Sequence, residues 1–245
     1  MSSAEFVFYG ELNDFLPQYK RHQPINLMFN GKQSAKHLIE SLGIPHPEIG
    51  KVYVNEHLSG LGYHVNHLDR IEVYPQTPEE RCGGEPAQIR FILDNHLGKL
   101  ATYLRIFGFD VVYDNSFQDA RLAIIAVDQG LTLLTRDRRL LMRSSIISGY
   151  CVRADLPPNQ VAEVVERFGL QRHINPFHRC LRCNHPLTSI HKESIINRLQ
   201  PLTKRYFDEF YYCQACDQIY WQGSHYEKML GLIADITQNI PVDPD

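Results

Sequence analysis

Two Cys-x-x-Cys pairs, Cys180-Leu181-Arg182-Cys183 and Cys213-Gln214-Ala215-Cys216, constrain the last third of this chain more tightly than any other feature. Two residues between cysteines let one tight turn aim both thiolates at a single ion, and two such turns complete a tetrahedral set of sulfurs. With 29 residues between the pairs, the spacing predicts a zinc ribbon whose structural Zn²⁺ is held by Cys180, Cys183, Cys213 and Cys216. Protein fills every coordination position of such a site, so the zinc holds structure and does no chemistry. Two disulfides are the competing reading, and they need an oxidising compartment. Met1–Gly10 lacks a charged start followed by an apolar run, and no apolar stretch of about 18 residues follows. The expectation is therefore a cytoplasmic chain with no membrane segment, in which Cys82 and Cys151 are ordinary thiols.

The chain has 245 residues, room for two or three small domains. Residues 5–76 read as strand, strand, helix, strand, strand. Phe6–Tyr9 and Ile25–Phe29 are β-rich; Ala35, Leu38, Ile39 and Leu42 make one helical stripe that Gly43 stops; Val52–Asn55 and Ile71–Tyr74 are further strands. This order resembles the ubiquitin-like β-grasp fold, and Val54-Asn55-Glu56 with Asp69–Pro75 is similar to sulfur carriers of thiamin and molybdopterin synthesis. Those carriers act through a free C-terminal Gly-Gly, whereas Gly83-Gly84 lies inside this chain. Pro75–Pro86 is rich in Pro, Gly and charge, which reads as a linker. A carrier released by cleavage after Gly84 is the other reading.

From Gln88 to Leu170 strands and helices alternate: strand Ile89–Leu93, a helical stripe Leu97, Leu100, Ala101, Leu104 ended by Gly108, and strand Val111–Tyr113. A helix follows, opened by Ser116-x-x-Asp119 as a capping box and stopped by Gly130. Strand Leu131–Thr135, a short helix Arg138–Arg143, strand Tyr150–Arg153 and helix Pro158–Phe168 complete the pattern. Such alternation implies right-handed crossovers and a parallel sheet, the three-layer α/β architecture, with ligands beyond the carboxyl ends of the strands. Asp94 directly follows the first of these strands, Asp137 lies two residues past the third, Asp119 opens the helix after the second, and Asp155 follows the fourth. Close carboxylates repel unless a cation joins them, so the cluster suits Mg²⁺ or Mn²⁺. Helix opening is the other reading of Asp119, and a turn before Pro157-Pro158 that of Asp155. Arg136, Arg138, Arg139 and Arg143 crowd this edge and Arg105 lies on the first helix of the set. Arg136, Arg138 and Arg105 are candidates for phosphate contact, since guanidinium forks match phosphate oxygens.

The run Phe91–Asp110, together with Asp119-x-x-Leu122, Leu134–Arg138, Arg179–Asn184 and Phe210–His225, resembles the Mut-7 C-terminal predicted RNase family. The resemblance covers residues 5 to 230 and keeps the motif order. It implies an N-terminal ubiquitin-like domain (1–78), a linker (79–87), a PIN-like nuclease domain (88–172), a zinc ribbon (173–230) and a tail (231–245). Carried onto this chain, it implies Asp94, Asp119 and Asp137 as catalytic metal-binding acids and the four cysteines as zinc ligands. The marker Tyr220-Trp221-x-Gly223-Ser224-His225 either packs the ribbon or stacks on unpaired bases.

Charge fits this layout. Residues 1–80 hold 6 basic against 10 acidic side chains, whereas 87–226 hold 17 against 13, so the basic excess sits where a polyanion would bind. The expectation is a Mg²⁺- or Mn²⁺-dependent endonucleolytic ribonuclease acting on structured or tRNA-like RNA. In it the ribbon grips substrate and the N-terminal domain, separable from catalysis, recruits a protein partner or regulates access. An inert RNA-binding or adaptor protein is the alternative.

Overall fold

The computed structural model describes residues 1–176 and 178–238, with the side chains of Ala87, His225 and residues 236–238 excepted. The His225 side chain of the ribbon marker and residues 239–245 of the expected tail thus lie outside the described residues. In chain order the elements are β1 (Ser2–Phe8), β2 (Ile25–Phe29), α1 (Ala35–Ser41), β3 (Ile49–Val54), β4 (His57–Ser59), β5 (Arg70–Pro75) and α2 (Pro78–Arg81). There follow β6 (Arg90–Leu93), α3 (Gly98–Ile106), β7 (Asp110–Val112), α4 (Asp119–Asp128), β8 (Thr132–Thr135), α5 (Arg138–Leu141), β9 (Gly149–Cys151) and α6 (Pro157–Arg167). The last are β10 (Thr188–Ile190), α7 (Lys192–Ile195), α8 (Pro201–Tyr206), β11 (Phe210–Cys213), β12 (Gln218–Trp221) and α9 (Ser224–Gln238). The chain is mixed α/β and divides into two compact units, Met1–Glu85 with Gln118–Cys151, and Pro86–Phe117 with Val152 onward.

In the first unit the N-terminal strands form one sheet in the order β2-β1-β5-β3-β4. β1 and β5 run parallel, Phe6 opposite Ile71 and Phe8 opposite Val73, and the other pairs are antiparallel. Alternation explains the buried face: Ala4, Phe6 and Phe8 of β1 and Ile71 and Val73 of β5 point inward. α1 covers them with Ala35, Leu38 and Ile39, and Ser34 caps it by accepting the His37 N–H at 3.3 Å. This is the expected β-grasp.

The stretch expected as linker from residue 79 begins instead as a capped helical turn. Thr77 and Glu80 close a capping box around α2. Gly83 and Gly84, with φ of +60° and +80°, fold back so that their N–H groups meet the carbonyls of Glu80 and Glu79. Arg81 is buried and its Nη2 lies 3.0 Å from Glu11 and 3.1 Å from Glu48. Glu48, fully out of water, also accepts the N–H of Cys151 at 2.6 Å. The N-terminal sheet and residues 118–151 therefore share one unit. Within the same unit β8 and β9 pair in parallel, Thr135 opposite Cys151.

In the second unit β6 pairs in parallel with β7, Arg90 opposite Asp110, and α3 packs against α6. Phe91 meets Phe168 edge to face at 5.2 Å in that core. Gly108 ends α3 with φ of +94°, and a Cβ there would lie 2.0 Å from the Asn175 carbonyl oxygen, so only glycine fits. β10, β11 and β12 form an antiparallel three-stranded ribbon. Its small core of Ile195, Leu199 and Phe210 is flanked by Ile190, Phe207, Ile219 and Trp221. The segment expected as tail is helical as far as Gln238, and α9 packs against α6. The capping box expected at Ser116–Asp119 does not form: the Ser116 N–H and hydroxyl donate to Asp114 Oδ1, and α4 starts without a side-chain cap.

Candidate functional site

Each Cys-x-x-Cys closes a matching turn. The Asn184 N–H meets the Cys180 carbonyl and the Asp217 N–H meets the Cys213 carbonyl, both at 2.9 Å. Asn184 and Asp217 sit at φ of +68° and +60°, the left-handed region these short polar residues tolerate. The turns bring Cys180 Sγ to 3.4 Å from Cys216 Sγ and Cys183 Sγ to 3.3 Å from Cys213 Sγ, with all four sulfurs within 4.8 Å of one another. Those separations are too long for S–S bonds of about 2.05 Å and close to the spacing of ligands about 2.3 Å from one tetrahedral zinc. The donor set thus fits a metal such as zinc. Burial pushes the Cys180 thiol up, but hydrogen bonds from Tyr220, the Cys183 and Arg182 backbone and Cys216 outweigh it and bring it down to about 6. Burial raises the thiols of Cys183 and Cys216.

The first knuckle is fastened to the α/β part of its unit by Arg105, Asp110 and Asn184. Arg105 is buried. Its Nε and Nη2 donate to the Val111 carbonyl at 3.3 and 2.9 Å, and its Nη1 donates to the Leu181 and Arg182 carbonyls, each at 3.1 Å. The Arg105 guanidinium, expected at a phosphate, is thus spent on three carbonyls. Asp110 accepts from Asn184 Nδ2 at 2.7 Å and pairs with Arg90 and Arg179. Asn184 in turn accepts the Val111 N–H at 2.9 Å. The Tyr220 hydroxyl lies 3.1 Å from Cys180 Sγ, and Trp221 packs on Phe210. Neither Asp110 nor Asn184 carried a sequence signal of this joint beyond lying beside a strand and a cysteine.

The acids stand as follows. Asp94 follows β6, is 5% exposed, and its Oδ1 accepts the His96 N–H at 3.2 Å at the head of a short 3₁₀ turn. Asp137 follows β8, is exposed, and caps α5 by accepting the Arg139 N–H at 2.7 Å, while its own N–H donates to Thr135 Oγ1 at 2.9 Å. Asp119 is the first residue of α4, about half exposed, with Arg143 Nη2 at 3.9 Å. Asp94 belongs to one compact unit, Asp119 and Asp137 to the other. Arg136 is exposed. Arg138 is engaged elsewhere: Nη1 donates to the Phe15 carbonyl at 2.9 Å and the guanidinium lies 4.9 Å from the Phe15 ring centre. Arg138, expected at a phosphate, thus touches the N-terminal domain through Phe15.

Residues 89–233 match the Mut7-C RNAse domain, and residues 1–81 match the Mut7-C ubiquitin domain. The chain belongs to the Mut7-C RNAse family. No curated protein and no solved structure matches it. The Mut7-C ribonuclease span encloses the three acids and all four cysteines, and the ubiquitin span ends at the buried Arg81. Among the described residues of this Mut7-C protein no helix is long and apolar enough to cross a membrane.

Proposed function

We propose that this protein is a metal-dependent ribonuclease that cuts the phosphodiester backbone of RNA internally, with Asp94, Asp119 and Asp137 as its acidic site. The observation that carries the reading is the ribonuclease-domain match over a span in which Asp94 and Asp137 each stand just past the carboxyl end of a parallel strand, the edge where α/β sheets take ligands. The donor set supports a hard cation, since carboxylate oxygens suit Mg²⁺ or Mn²⁺. A divalent ion there would supply Lewis acidity at the phosphodiester and a more acidic attacking water. Asp94 is oriented by the His96 amide and Asp137 by the Arg139 amide, so both carboxylates are held in place by backbone donors. Exposed Arg136, beside Asp137, would take a phosphate oxygen.

The zinc ribbon would grip substrate, supported by the basic excess of residues 87–226, 17 against 13. Its closed four-sulfur site leaves no position for catalysis. The working compartment would be the cytoplasm, where the thiols stay reduced, and structured or tRNA-like RNA the substrate. The test is incubation of the purified full chain with mixed RNA. Internal cuts in Mn²⁺ or Mg²⁺ that stop with chelator support the reading. RNA bound but left intact in both metals would instead favour the adaptor.

A further inference from the structure

We propose that the ubiquitin-like domain is a built-in buttress for the segment that carries Asp137, with Glu48 and Arg138 as positioning residues. The catalytic side of this inference rests on the ribonuclease reading above. Glu48 is fully buried. Its Oε1 accepts the N–H of Cys151, the last residue of β9, and its Oε2 accepts from Arg81 Nη2, which also pairs with Glu11. The Arg81 guanidinium lies 4.9 Å from the ring centre of buried Tyr150. His46 places Nε2 2.7 Å from the Ile146 carbonyl oxygen while its Nδ1 faces Glu40 at 2.8 Å. Arg138, the residue after Asp137, reaches Phe15 with both a hydrogen bond and its guanidinium face.

These grips fall at residues 138, 146, 150 and 151, from the start of α5 to the end of β9. Cys151 stands opposite Thr135 in the parallel ladder, so holding the Cys151 amide holds the end of β8, and Thr135 Oγ1 in turn accepts the Asp137 N–H. A carboxylate kept wholly from water must find charged and hydrogen-bonding partners. For Glu48 these include Arg81 of its own domain and the Cys151 amide of β9. A recruiting module on a flexible tether has no use for a buried carboxylate aimed at its neighbour's backbone.

The test compares full-length wild type with Glu48→Ala, Arg138→Gln and Arg138→Lys by hydrogen exchange and by Mn²⁺-dependent RNA cleavage. Amides of 137–142 and 149–152 should exchange on the order of tenfold faster in Glu48→Ala and Arg138→Gln, with those of β10–β12 unchanged. In Arg138→Gln kcat should fall with KM unchanged, and Arg138→Lys should recover part of it. Should Glu48→Ala not fold, exposed Arg138 carries the test alone. Unchanged exchange, or faster exchange with an unchanged kcat, overturns the proposal, as does a raised KM with a flatter salt dependence, which would make Arg138 a phosphate contact. A wild type that cuts no RNA while exchange responds as stated would leave the buttress standing and remove the ribonuclease reading.

Discussion

Truncating Arg105 to alanine tests the joint between α3 and the Cys180–Cys183 knuckle. The side chain makes four hydrogen bonds to three carbonyls. After truncation the carbonyls of Leu181 and Arg182, on the partly exposed knuckle, can turn to water. The Val111 carbonyl is tied to a fully buried residue and loses its partner. A hydrogen bond from a charged donor contributes about 1.5–3 kcal/mol, and an orphaned buried acceptor costs about 1–3 kcal/mol. Because these overlap, Arg105→Ala should lower stability by about 2–4 kcal/mol. The filled site also matters, since four thiolates around one Zn²⁺ carry a formal charge of about −2. Burial lowers the Arg105 pKa while the sulfurs of Cys180 and Cys183 raise it, so the guanidinium sits within their field. Its loss should weaken zinc binding about 10–100-fold, as outer-shell deletions do. Chelator competition and thermal unfolding read both effects. Arg105→Lys should restore charge but not the fork, and so only part of the affinity. Unchanged zinc affinity and stability alongside weakened RNA binding would refute this reasoning and return Arg105 to the phosphate backbone.

Elemental analysis should find one zinc per chain, and Cys180→Ser with Cys213→Ser should abolish it; metal content that survives the double replacement would sink the four-sulfur site. Gly108→Ala should cost about 2–4 kcal/mol, because the left-handed backbone and the 2.0 Å approach to the Asn175 carbonyl both oppose a Cβ; denaturant unfolding checks it, and a neutral result would mean that the α3 terminus rearranges freely. Arg136→Ala should weaken RNA binding and reduce its salt slope by about one contact, leaving stability within about 0.5 kcal/mol; an unaltered slope would remove Arg136 from the interface.

Local signals in the sequence were enough to place the β-grasp strands, the alternating middle segment and the four cysteines. Side-chain period marks strands and helices, glycine marks α3's end, and knuckle spacing is itself a geometry. The packing partners of Arg105 and Arg138 were not legible for a common reason. A guanidinium in a polar run looks solvated or anion-seeking until the segment abutting it is known, and those segments, Leu181–Arg182 and Phe15, lie far off along the chain. Glu48 and Arg81 were missed likewise, because a buried ion pair 33 residues apart has no spacing rule. Pro75–Pro86 reads as linker by composition, yet Thr77 and Glu80 cap a turn there and burial of Arg81 anchors it. Ser116 found a nearer acceptor in Asp114 than any helix terminus.

Asp94→Asn tests the central claim most directly. An Asn Oδ1 can still accept the His96 N–H that Asp94 accepts at 3.2 Å, so the fold should hold while one metal-binding charge is lost. The expected result is an unchanged unfolding midpoint, Mn²⁺ binding that is weakened, and RNA cleavage reduced on the order of a thousandfold. A folded Asp94→Asn protein that cuts RNA at the wild-type rate would contradict the assignment of the acidic site.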